Sequence, residues 1–67
     1  MGRWILGERV RALREAQGLT QAELATRAGL HRVYLAQLEL GIHRNQTLNT
    51  LHRLAKALGV PVTRLLE

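Results

Sequence analysis

Within the stretch "GLHRVYLAQLELG", residues 29–41, Arg32, Val33, Ala36 and Gln37 stand at i, i+1, i+4 and i+5. On a helix that spacing puts them on one side, opposite an inner stripe of Leu30, Tyr34, Leu35 and Leu38. A helix that only covers a core shows water Glu, Lys and Arg. This side shows one Arg, one amide and, with Leu40, three apolar side chains. Such residues match base edges: Arg can fork onto guanine O6 and N7, Gln onto adenine N6 and N7, and Val and Ala meet the thymine methyl. The bland alternative is a solvated face with stray apolar residues. Val33 and Ala36 suit a groove floor better than water.

Groups that suit phosphates flank this side. Thr20 and Gln21 open the preceding helix, where free backbone N–H groups can meet an anion. His43, Arg44, Asn45 and Gln46 fill the loop before another helix N-terminus, and Arg44 is the strongest donor among them. Tyr34 packs inward, either with its hydroxyl toward a phosphate or without one. His31 precedes the reading helix as a cap, a phosphate contact or a pH-sensitive group. Contacts of this kind set register and most of the affinity while carrying little sequence information. Arg9 and Arg11 read either as distant phosphate attraction or as plain surface. Arg27, Arg53, Lys56 and Arg64 read as solvated surface.

The 67 residues make one domain, 1–67, the expected organisation. The formal net charge is +5 and the sequence pI about 11.5, and all basic residues but Lys56 are Arg, a balance that points to a polyanion. The chain contains no Ser, Cys or Asp, so the usual acyl-transfer nucleophiles and triad members are missing and no enzyme is expected. His31, His43 and His52 share no metal-ligand spacing, so no metal site and no cofactor are expected. Nor is a small-molecule ligand expected, since 67 residues leave no room for a ligand domain, nor a membrane, since no apolar run approaches the roughly 18–20 residues of a spanning helix.

Helical periodicity accounts for nearly the whole chain. Leu6, Val10 and Leu13 mark a first helix from about Trp4 to Gln17, with Leu19 packing beyond its end. "TQAE" is a capping box with Thr20 as N-cap and Glu23 three residues on, and it starts a second helix with Leu24, Ala25 and Ala28 inward. The opening stretch is the third. Thr47 caps a fourth, carrying Leu48, Leu51, Leu54, Ala55 and Leu58, and Pro61 starts a short fifth with Val62, Leu65 and Leu66. Gly18, Gly29, Gly41 and Gly59 follow successive helices, where left-handed C-caps are expected. The fold class is therefore all-α, five short helices, with a helix-turn-helix at 20–39.

"RVRALREAQGLTQAELATRAGL", then "YLAQLELG", then "TLNTLHRLAKALGVPVTRLL" resemble the Cro and phage-repressor type of helix-turn-helix domain, the xenobiotic-response-element family, over about residues 6–66. The resemblance implies a lambda-repressor-like domain that regulates transcription on double-stranded DNA in the cytoplasm, usually as a homodimer. It implies base contacts at Arg32, Val33 and Gln37 with Ala36 beside them, a phosphate contact at Gln21, and an ion pair between Arg14 and Glu39. It implies a two-fold interface at Val60, Val62, Leu65 and Leu66. Small restriction–modification controller proteins and antitoxins are the subfamilies it brings closest. This sequence departs from the pattern at His31, where Ser or Thr is usual, and at Leu40 and Ile42, where polar and basic residues are usual. Leu40, Ile42 and Trp4 favour a second reading, a protein-interaction module of the same fold.

Overall fold

The computed structural model describes residues 6–42 and 47–66. They form α1 (Leu6–Ala16), α2 (Gln21–Ala28), α3 (Arg32–Glu39), α4 (Leu48–Leu58) and α5 (Thr63–Leu66). Trp4 and Ile5, placed in the first helix by the sequence, lie outside the described residues, as do His43, Arg44, Asn45 and Gln46. α2 packs between α3 and α4, while α1 runs behind α3 and also meets α4 and α5.

The helix starts follow from side chains that satisfy orphan amides. Thr20 Oγ1 accepts from the Glu23 N–H at 3.0 Å, and the Glu23 carboxylate accepts from the Thr20 N–H at 2.8 Å. Thr47 Oγ1 accepts from the Thr50 N–H at 3.2 Å. The Thr20 backbone N–H, and after it the Thr20 hydroxyl, hold the Glu23 carboxyl below the ordinary glutamate range. A depressed folded value means that the contribution is present above the unfolded value, about 4.3, and is lost as the pH falls through the folded one. Glu23→Gln keeps an oxygen for the Thr20 N–H but cannot titrate. Its melting temperature should therefore fall less than the parent's between about pH 6 and about pH 3. Equal falls would show that the capping box does not contribute to the acid sensitivity.

All four longer helices end in the same way. A glycine at positive φ follows each (Gly18, Gly29, Gly41 and Gly59), and the next residue sends its N–H back five residues: Leu19 to Arg14, Leu30 to Ala25, Ile42 to Gln37 and Val60 to Ala55. That residue is apolar each time because this cap turns its side chain back over the helix it closes. Leu19 is buried, and Leu30 and Val60 pack against the core. Ile42 is the exception, 60% exposed.

The core is aliphatic. Val10, Leu24, Leu35, Leu38, Leu54 and Leu65 are its fully buried side chains. Leu13 packs only partly against it, as do Leu30 and Tyr34 of the predicted inner stripe. Leu48 departs from the expected apolar face of α4: it is 68% exposed whereas Leu51, one turn on, is buried, so the stripe runs out in the first turn. α5 begins at Thr63 rather than at Pro61, although the Pro61 carbonyl accepts from the Arg64 N–H at 2.9 Å.

Candidate nucleic-acid interface

α3 is held at its C-terminal end by charge. Arg14 of α1 grips Glu39 with two parallel bonds, Nε to Oε2 at 2.7 Å and Nη2 to Oε1 at 3.0 Å. Its third nitrogen, Nη1, donates to the Leu19 carbonyl at 2.8 Å, fixing the guanidinium to the turn before α2. From α2, Gln21 Nε2 adds a bond to Glu39 Oε1 at 3.1 Å. The Glu39 side chain is 3% exposed and that of Arg14 11%. The hydrogen bonds to Glu39, outweighing burial, raise the Arg14 value further, so the guanidinium stays charged. One carboxylate thus ties α1, α2 and α3 together, and its loss would free the end of α3.

Apolar packing complements this lock. Leu35 and Leu38 are fully buried, which fixes the rotation of α3 about its axis. A Cβ on Gly7 of α1 would overlap the Leu38 carbonyl oxygen and lie 2.9 Å from that of Glu39, so α1 and α3 approach as backbone on backbone. The sequence reading passed over Gly7; a glycine inside a helical pattern was the available signal. It also passed over Gln17, whose Nε2 donates to the Leu58 carbonyl at 2.6 Å and joins the ends of α1 and α4. Arg53, read as solvated surface, donates from Nη1 to the Gly29 carbonyl at 3.3 Å.

With α3 so fixed, its other side faces out. Arg32 is exposed, Val33 is 48% exposed, and Ala36 and Gln37 are half-buried. Ala36 and Leu40 share an open cleft with Arg11 and Gln21, which brings the first turn of α2 beside the outer side of α3. In that turn the capping box takes the N–H groups of Thr20 and Glu23; those of Gln21 and Ala22 have no partner within the helix. His31 occupies the N-cap position of α3 in extended conformation, but its side chain makes no capping bond. The His31 side chain therefore leaves the Arg32 and Val33 amides to another acceptor. Tyr34 is half-buried against the core.

Of the residues expected at a two-fold interface, Leu65 is taken up completely by the core, at 0% exposure. It anchors α5 and presents no surface. Val60 and Val62 are partly buried beside it and Leu66 is 58% exposed.

The pattern of a helix-turn-helix family matches residues 10–65. Control protein C.SmaI of Serratia marcescens is 48% identical over 62 residues, 92% of this chain and 73% of its own. The restriction–modification controller protein C.AhdI of Aeromonas hydrophila superposes with a TM-score of 0.85 at 42% identity, covering 90% of this chain and 89% of the other. SinR, a master regulator of biofilm formation solved in complex with DNA, gives 0.88 at 31% identity, covering 92% and 98%. The five-helix architecture is thus shared with these proteins, and the chain belongs to the helix-turn-helix family of the Cro and phage-repressor type.

Proposed function

We propose that this protein is a sequence-specific transcriptional regulator that binds double-stranded operator DNA as a homodimer in the cytoplasm, with α3 in the major groove. The observation that carries this reading is the outward set of Arg32, Val33, Ala36 and Gln37 on a helix fixed at its C-terminal end by Arg14, Gln21 and Glu39. Donors and methyls are aimed by a rigid mount, as base reading requires. Thr20, Gln21 and the open amides of α2 and α3 supply phosphate contacts around them, with Tyr34, His31 and the loop residues His43, Arg44, Asn45 and Gln46 as further candidates. Likeness to C.SmaI and C.AhdI supports a controller role.

Two copies reading half-sites one turn apart hold their α3 helices about 34 Å apart. The molecule is 31 Å along its longest axis, so the copies would meet along an edge. Val60, Val62 and Leu66 offer an apolar edge, which Leu65 supports from beneath.

Selection from random duplexes followed by footprinting tests the reading directly. Arg32→Ala should cost about 1–3 kcal/mol and relax specificity at one base pair. Unchanged operator preference in that variant would refute the reading face. The protein-interaction reading rests on Leu40 and Ile42, 73% and 60% exposed beside the end of α3. It would be selected by salt-insensitive binding to a protein with no DNA affinity at low salt.

A further inference from the structure

Three cations crowd a cleft whose lining includes none of the residues assigned to DNA contact. Arg27 of α2 and Arg53 and Lys56 of α4 surround an open cleft of about 680 Å³ whose floor includes Ala28, Gly29 and Ala57. All three side chains belong to exposed residues, and no acidic residue lines the cleft. The neighbouring acid on α2, Glu23, accepts from the Thr20 N–H and offsets part of the Arg27 charge one turn on. Arg53 is partly engaged by the Gly29 carbonyl at 3.3 Å, and the C-terminal end of α2 attracts about half a unit of positive charge. Three full charges exceed that demand, leaving a surplus cationic rim over a floor of small apolar groups.

We propose that this cleft docks an acidic polypeptide segment of a partner protein. The position decides between carboxylates and phosphates. α2 points its N-terminus, with Gln21, toward the phosphates in the proposed complex. Its C-terminal end, Ala28, lies seven residues on, about 10 Å further along the axis from the Gln21 amide. α4 covers the side of α2 away from α3. Arginine guanidinium groups donate paired hydrogen bonds to carboxylates, and the aliphatic stems of acidic residues would cover Ala28 and Ala57. The inference shares with the DNA-binding reading only the side from which the duplex approaches.

The test uses a fluorescent peptide of about twelve residues alternating Glu and Ala, followed by anisotropy, with amide chemical shifts to locate it. Binding should shift residues 26–29 and 53–57 and leave 32–37 unmoved. Arg27→Gln with Lys56→Gln should weaken the peptide about tenfold, while the equal-charge control Arg11→Gln with Arg64→Gln changes it less than about threefold. Affinity for an operator duplex should fall no further in the cleft variant than in the control. No binding of the peptide to the parent, equal weakening by both pairs, or a selective loss of duplex binding in the cleft variant would each overturn the proposal. The last outcome would make the cleft a phosphate grip. A failure of both variants and parent to prefer any duplex would instead strike the DNA-binding reading and leave the peptide result standing.

Discussion

Arg14→Ala is expected to lower the melting temperature by about 12 °C or more and to abolish operator binding at temperatures where the parent binds well. The substitution leaves the Glu39 carboxylate, 3% exposed, with Gln21 as its remaining side-chain donor. Removing one partner of a buried ion pair costs about 3–5 kcal/mol because the other charge stays behind without compensation. A chain of 67 residues has roughly 3–10 kcal/mol of stability in all. The loss therefore takes a large share of the total, although Arg14 is aimed at α3 and not at DNA. Replacing both partners separates stability from positioning. Arg14→Leu with Glu39→Met removes the buried charges together and should recover most of the melting temperature. It cannot restore the anchor that Gln21 finds on Glu39, so duplex affinity should stay low. Full recovery of binding in the apolar pair would show that packing alone aims α3. Melting curves and a duplex titration on the same samples read both effects.

The elements were legible because each is announced by local chemistry. Thr20 with Glu23 and Thr47 with Thr50 are caps that operate within four residues, and each terminal glycine is followed by an apolar residue whose N–H closes the helix. The outward side of α3 was legible for a similar reason: once Leu35 and Leu38 are taken as inner, helical spacing leaves Arg32, Val33, Ala36 and Gln37 nowhere else to point. What periodicity could not convey was the distance between elements. Leu48 satisfies the stripe of α4 but lies beyond the helices that would cover it, and Leu65 looks like surface on a four-residue helix yet is the plug beneath it. His31 shows that a position can be capped in backbone geometry without its side chain taking part. Arg53 and Gln17 act on carbonyls of other helices, 24 and 41 residues away in the chain, a separation no local pattern reports. Ile42 stays exposed where the other residues that follow the helix-ending glycines are covered, and Leu40 is exposed on the other side of Gly41; nothing in the fold accounts for their apolar character.

Gly7→Ala should also be damaging, though less than Arg14→Ala, which is the opposite of what helix propensity predicts. In a helix interior Ala is favoured over Gly by about 1 kcal/mol. Here the added carbon would overlap the Leu38 carbonyl oxygen and sit 2.9 Å from the Glu39 oxygen and 3.0 Å from the Glu39 carbonyl carbon. These are backbone atoms of α3, which cannot swing aside as a flexible side chain can, so the two helices must move apart. Overpacking of this kind costs about 1–3 kcal/mol and sometimes more, which outweighs the propensity gain. The shift falls on the residues that carry the Arg14 and Gln21 bonds, so the reading side should be tilted even in molecules that remain folded. Gly18→Ala provides the comparison. A Cβ there meets nothing within 4 Å, and its cost comes from a φ of +70°, roughly 1–2 kcal/mol. Both variants should melt earlier than the parent. Measured at low temperature, where all three are folded, only Gly7→Ala should lose duplex affinity. Equal affinity in the two glycine variants would mean that α3 tolerates displacement from α1, and that its aim is set by α2 alone.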